Sequence, residues 1–202
     1  MKKYLYYVIV VLVIICVSGV YANVDKKVPI YDVEVDTSNY GNMGELVEDV
    51  VVQQEFVCTK PVLDGISIKC ATFGNVLTST YEYQLIDAET SEVLRDGIIQ
   101  SEMIQNSRYY TFEFEQLENC QNRRLVLCLE SDDATSGNAI TVYNVPKGEE
   151  DAQLRLNSDS LENNTLAMRT ISHMFDVETF ICVVFCLLYL YIFVKVLFKF
   201  FS

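Results

Sequence analysis

The residues of this chain that could do chemistry are few in kind. His173 is the single imidazole, and a Ser-His-Asp or Cys-His mechanism needs such a group in a cleft beside a nucleophile. It lies instead next to the apolar C-terminal run, where a surface position is expected. Carboxylates are abundant, so composition leaves room for a glycosidase pair about 5–10 Å apart. Most of them, however, fall on the outward parity of alternating segments. No glycine-rich phosphate loop, HExxH or Cys-x-x-Cys motif occurs. The expectation is that the chain is not an enzyme.

Three groups remain as candidate sites. Tyr81, Tyr83, Tyr109 and Tyr110, with Gln84 among them, could offer flat rings and hydrogen bonds to a sugar. The lack of tryptophan weakens such a platform, and aromatics at strand spacing also suit a core. Asp132, Asp133 and Asn138, in the loop Ser131–Asn138, carry the hard oxygens that Ca²⁺ prefers. The same composition makes an ordinary turn, so a structural Ca²⁺ is the one cofactor considered. Cys58, Cys70, Cys120 and Cys128 permit two disulfides in three connectivities if the region is exported. Cys58, Cys70 and Cys128 also sit in apolar segments, where a free thiol behaves as a small hydrophobe. Cys182 and Cys186 lie four apart in an apolar run and read as packing residues, since two thiolates there lack the other ligands of a metal site. Asn163-Asn164-Thr165 has the form of a glycosylation sequon, in a turn context.

Charge sets the setting for these groups. All 28 acidic residues of the 202-residue chain lie between Asp25 and Glu178, together with 11 of the 15 basic ones, so this stretch carries −17. Such a surface repels nucleic acid and anionic head groups, which excludes a nucleic-acid partner. Both ends are basic and apolar. Met1-Lys2-Lys3, the apolar Tyr4–Val17 and the small residues Val20 and Ala22 describe a secretory signal, residues 1–22. An uncleaved anchor is the other reading, because Tyr4–Ala22 approaches the length of a span; the spacing favours cleavage after Ala22. Val177–Phe198 is long enough to cross a hydrocarbon core. Lys195 and Lys199 place the tail, residues 199–202, in the cytoplasm, and the acidic section outside it. The expected anchor is single-pass.

Between the ends, period-two alternation recurs and helical periodicity is hard to find. Tyr31, Val33 and Val35 alternate with acids. Val52, Phe56 and Cys58 share one face, and Ile66, Ile68 and Cys70 another, after a turn at Lys60–Gly65. Tyr81–Leu85, Val93–Ile99 and Tyr110–Phe114 follow. Arg124–Leu129 is apolar on both parities, as a central strand should be. Ala139–Val145 comes next, and a last pair, Leu154/Leu156 with Leu166/Met168, flanks the polar stretch Asn157–Asn164. This predicts an all-β domain over residues 23–172, a β-sandwich or jelly roll of eight to ten strands. Residues 173–176 would link it to the span at 177–198.

The segments VVVQQEF (Val50–Phe56), LDGISIKCATFGN (Leu63–Asn75), YEYQLIDAETSEVL (Tyr81–Leu94), YYTFEFEQLENCQNRRLVLCLES (Tyr109–Ser131) and GNAITVY (Gly137–Tyr143) carry a resemblance. Together, over roughly Gly44–Thr170, they resemble the extracytoplasmic β-sandwich domains associated with bacterial envelope-polysaccharide membrane glycosyltransferases. The resemblance implies a carbohydrate-binding-like jelly roll in the cell envelope. It also implies a partner, either an envelope glycan or the integral-membrane glycosyltransferase. The chain departs from the pattern in having no multi-span catalytic part, so an accessory role is the expectation. A structural adaptor acting through its membrane helix is the alternative, and an envelope glycosidase comes after it.

Overall fold

The computed structural model describes residues 2–146, 152–157 and 159–201; the side chains of Lys2 and Lys3, and Ser202 of the expected tail, lie outside the described residues. The chain divides into two compact units, Met1–Asp25 with His173–Ser202, and Lys26–Ser172.

The strands in chain order are β1 (Asn23–Pro29), β2 (Gly41–Asn42), β3 (Val52–Val57), β4 (Val62–Ala71), β5 (Thr80–Asp87), β6 (Val93–Gln100), β7 (Arg108–Glu118), β8 (Arg124–Glu130), β9 (Thr141–Pro146), β10 (Gln153–Leu156), β11 (Asp159–Ser160), β12 (Asn164–Leu166) and β13 (Met168–Phe175). They form two sheets whose pairings are antiparallel. A six-stranded sheet runs β11-β10-β3-β8-β5-β6. A seven-stranded sheet runs β1-β13-β4-β9-β12, with β7 on β4 and β2 on β9.

Alternation explains which face of each strand turns inward. In β3, Val52, Gln54 and Phe56 are buried while Gln53 and Glu55 are not. In β8, Leu125, Leu127 and Leu129 join the core, and Val126 and Cys128 face the other way. β8 lies between β3 and β5, but it is not buried on both faces as its two apolar parities suggested, since Val126 on the outer parity is only half-buried. One hydrophobic cluster takes side chains from both sheets, including Phe56, Leu127 and Tyr81 from one and Ile66, Phe112 and Val142 from the other. Ring centroids of Tyr83 and Phe112 come within 4.3 Å. Gly97 stands opposite Tyr83 on β6, and a Cβ there would meet that ring at 2.7 Å. Its missing side chain leaves the ring room to reach Phe112.

Several expectations need correction. Residues 31–36 are not a strand. The Asp32 carboxylate accepts from the Glu34 amide at 2.9 Å and Asp36 from the Ser38 amide at 2.8 Å, so local turns take the backbone groups a strand would use. The first strand lies earlier, at β1. The expected turn at Lys60–Gly65 ends sooner, because β4 begins at Val62 and Gly65 sits at a register shift within it. A Cβ at Gly65 would meet the Phe112 carbonyl oxygen at 2.8 Å, so the strand crosses β7 closely only as glycine. The final pair is split: β10 pairs with β3 and β12 with β9, in different sheets. Strand β13 continues through Phe175, so of residues 173–176 only Asp176 lies between it and the following helix.

The other unit holds two helices, α1 (Lys2–Tyr21) and α2 (Val177–Phe201), the second running past the expected end at Phe198. Both are long and apolar enough to cross a membrane, with mean hydropathy 2.4 over Tyr4–Tyr21 and 2.7 over α2. The helices contact each other within this unit. Lys195 Nζ donates to Tyr7 Oη at 2.9 Å and lies 4.6 Å from that ring's centroid. Ala22 is buried, and its carbonyl accepts from the Asp176 amide at 2.8 Å. His173 Nδ1 lies 2.7 Å from Asp25 Oδ1, both half-exposed, so the lone imidazole serves a surface contact here.

Candidate functional site

The six-stranded sheet presents a polar outer face built by strand register. Residues Ile86, Val126, Glu55 and Gln153 are cross-strand neighbours over β5, β8, β3 and β10, and Gln84, Cys128, Gln53 and Arg155 form the adjacent rank. These ranks floor and flank a groove of about 270 Å³, walled at one end by Asp87, Ala88 and Ser91 from the β5–β6 turn. Ile86 and Val126 supply a small apolar floor. Gln53, Glu55, Gln153 and Arg155 supply amide, carboxylate and guanidinium groups above it.

The carboxylates in the groove are paired, and its Arg155 guanidinium is held by a neutral amide. Arg124 Nη1 donates to Glu55 Oε1 at 2.8 Å, and Arg155 Nη2 to Gln153 Oε1 at 3.2 Å. Asp87 accepts from the amides of Glu89 and Thr90, both at 2.8 Å, and from Arg123. The Thr90 amide first, then the Arg123 guanidinium, hold the Asp87 carboxyl down at about 2. Asp87 therefore braces the turn rather than presenting a titrating acid. The resulting lining offers hydrogen bonds from two amides and the Arg155 guanidinium, with no free carboxylate, which suits a polar, uncharged ligand of about ring size.

The expected tyrosine platform does not assemble. Tyr81 and Tyr83 are 0% and 5% exposed and belong to the core. The Tyr81 hydroxyl donates to Leu46 O at 2.8 Å and accepts from the Ile140 amide at 3.0 Å, so its polar tip is satisfied inside. Tyr110 on β7 packs half-buried against that core. Tyr109 faces a second cluster on the seven-stranded sheet, with Tyr31, Tyr40 and Tyr143. The Arg169 guanidinium lies 4.0 Å above the Tyr109 ring, and Lys69 lies 4.6 and 5.0 Å from the Tyr40 and Tyr143 centroids. Tyr31 and Tyr109 share a hydroxyl–hydroxyl hydrogen bond, and Arg169 donates to Tyr31 at 3.4 Å. Burial works to raise Tyr31, but hydrogen bonds from Tyr109, Arg169 and Tyr40 outweigh it and lower its pKa; burial, then Tyr31, push Tyr40 up to about 12. The protein's own cations cover these rings, which makes the cluster a cation–π brace. None of the five residues proposed from sequence lines the groove; Gln84 lies in the rank beside it.

The Asp132–Asn138 loop is committed internally. Asp133 Oδ1 accepts from the Thr80 amide at 2.7 Å, and Asn138 Oδ1 from the Thr78 amide at 2.8 Å. The Thr80 amide lowers the Asp133 pKa. Ser136 and Gly137 donate to Glu45 at 2.7 and 2.9 Å, and Ser136 first, then Gly137, lower Glu45. Asp132 is exposed. Among the described residues no group of three His, Cys, Asp or Glu side chains is placed to hold a metal ion.

Sequence reasoning missed Gln53, Glu55, Gln153 and Arg155, whose types are ordinary on a strand's outer parity. Only the pairing of β3 with both β8 and β10 brings them together. No family model matches the chain, and no curated protein is found to be similar to it.

Proposed function

We propose that this chain is a non-catalytic, membrane-anchored binding module whose β unit recognises a neutral glycan outside the cytoplasm. The observation that carries this reading is the groove: planar amide and guanidinium side chains above an Ile86/Val126 floor, with its carboxylates already paired. The −17 of the acidic section disfavours polyanions. The two sheets around one core are read as a β-sandwich of the jelly-roll type. The resemblance to domains that accompany envelope-polysaccharide glycosyltransferases supports an accessory role beside such an enzyme.

For the anchor, the Lys195–Tyr7 bond and the buried Ala22 favour retention of α1 over cleavage. A lysine within a span costs about 2.5–3.5 kcal/mol on insertion scales, and a phenolic partner from α1 offsets part of it. In this reading α1 and α2 cross as a hairpin, with the lysines of both ends in the cytoplasm.

The test is calorimetric titration of the full chain in lipid nanodiscs with neutral and uronate-containing oligosaccharides. Neutral oligosaccharides are expected to bind. Gln53→Ala and Gln153→Ala should each weaken binding roughly tenfold, the effect of one lost hydrogen bond of about 1–1.5 kcal/mol. Silence across the panel, or binding indifferent to both changes, would overturn the reading.

A further inference from the structure

The turn between β7 and β8 carries a thiol that meets another from the end of β3. Cys58 follows β3 directly; its amide donates to Arg123 O at 2.9 Å and its carbonyl accepts from the Asn122 amide at 2.7 Å. The Cys120 amide donates to Pro61 O at 3.0 Å, and the Arg123 amide to Cys120 O at 2.9 Å. Asn119 and Asn122 flank Cys120 with φ of 57° and 63°, left-handed conformations that Asn tolerates. They curl the turn so that its backbone is stitched to residues 58–61 on both sides of Cys120. The backbone bonds thus hold the Cys120 turn against Cys58–Pro61, and both cysteines are 0% exposed.

The other two candidate cysteines are placed apart. Cys70 points into the core from β4, with its Sγ toward Ile68 O at 3.5 Å. Cys128 faces the groove side of β8, 4.0 Å from Gln53 Nε2. They sit in different sheets, with Cys128 on the face away from the core, which disfavours a Cys70–Cys128 bridge.

We propose that Cys58 and Cys120 are joined by a disulfide in the exported protein, with Cys70 and Cys128 left as free thiols. The proposal rests on the reading that the β unit lies outside the cytoplasm, where disulfides persist. The oxidant is a protein or glutathione disulfide. The Cys58 thiolate attacks one of its sulfurs and expels a thiolate, leaving a mixed disulfide. The Cys120 thiolate, its proton lost to solvent, then attacks Cys58 Sγ and expels the second thiolate. The Cys58–Cys120 bond has formed, the oxidant's S–S bond has broken, and the two protons lost by the cysteines pass through solvent to the two expelled thiolates, leaving the oxidant as two thiols. Cys58 suits the attacking role: the hydrogen bond from Cys120 lowers its pKa to about 7, while Cys58 and burial raise that of Cys120. Both sulfurs are enclosed in the fold, so the exchange belongs to folding or to local opening. The bridge closes a loop of about 60 residues, a length at which a cross-link strongly restricts the unfolded chain.

The test uses the full chain in two arms. In the first, detergent-purified protein is equilibrated with a glutathione redox buffer, alkylated with N-ethylmaleimide and mapped by mass spectrometry without reduction. A Cys58–Cys120 peptide pair, with Cys70 and Cys128 alkylated, is expected. Any other pairing, or four free thiols under oxidising buffer, overturns the proposal. In the second, cells are quenched in acid and alkylated before lysis. The same linked pair is expected; free thiols in cells beside a linked pair in buffer would show the geometry to be right and the export reading wrong, and would remove the native bridge with it. Reductant is expected to lower the wild-type Tm by about 8 °C. Reductant should leave the Tm of a Cys58→Ser/Cys120→Ser double variant unchanged, and an equal fall there would assign the effect elsewhere. The peptide map on wild-type protein decides the question even if that variant does not fold.

Discussion

Replacing Gln54 by leucine is expected to cost about 4 kcal/mol of stability, although the change is apolar and close in volume. Gln54 is 0% exposed on β3. Its Oε1 accepts from the Leu166 amide at 2.8 Å and the Thr165 hydroxyl at 3.1 Å, both on β12 of the opposite sheet. Its Nε2 donates to the carbonyls of Glu55 at 2.8 Å and Gln153 at 3.3 Å. The side chain is thus a buried polar bridge between the two sheets. Leucine fills the space and orphans the Leu166 amide and the Thr165 hydroxyl, each at about 1–3 kcal/mol, while the interaction with two carbonyls is lost as well. Urea unfolding of the full chain in detergent measures this. Gln54→Glu separates polarity from packing, since it keeps the acceptor but buries a charge. That variant should lose most at neutral pH and recover partly as the pH falls toward 5. A Gln54→Leu protein as stable as wild type would show that the sheets do not depend on this bridge.

Asp87→Ala is expected to cost about 3 kcal/mol, and the loss should depend on pH. The carboxylate is 5% exposed and gathers the Thr90 and Glu89 amides and the Arg123 guanidinium, which becomes unpaired when it is removed. Its folded pKa is held at about 2 against an ordinary 3.8. A depressed carboxyl stabilises the fold fully above the unfolded value and loses that contribution as the pH falls through the folded one. The window is therefore from about pH 4 down to about pH 2. Asp87→Asn keeps an oxygen for the turn amides and cannot ionise. Its deficit against wild type should be present at pH 5 and shrink toward pH 2. A deficit equal at both values would mean that the Thr90 amide and Arg123 do not set this carboxyl.

Legibility in the sequence followed how locally each feature is determined. The turn at Asp87–Ser91 could be read because its hydrogen bonds join neighbours in the chain, and β8 because both parities are apolar. Residues 31–36 misled because alternation alone does not reveal that Asp32 and Asp36 cap turns with their side chains. Tyr81 and Tyr83 misled for a different reason. Period two identifies a face but not whether it points to the core or to water, and that is set by Phe112 and Leu46 from distant segments. The groove was not readable at all. Gln53 and Glu55 become neighbours of Gln153, Arg155, Ile86 and Val126 only through register across three pairings. The approach of the Cys120 turn to Cys58 is likewise a product of left-handed turn positions at Asn119 and Asn122 and not of spacing.

In the proposed topology both apolar helices cross the membrane and the β unit lies on the far side from the two chain ends. Intact cells carrying the chain with an epitope tag at each end test it most directly, using an impermeant amine-reactive label and tag antibodies before and after permeabilisation. The prediction is that peptides containing Lys60 of the β unit are labelled on intact cells. Both tags should become accessible only after permeabilisation, and both should remain on one full-length chain. Loss of the N-terminal tag by cleavage after Ala22, or a Lys60 shielded until the membrane is opened, would contradict it.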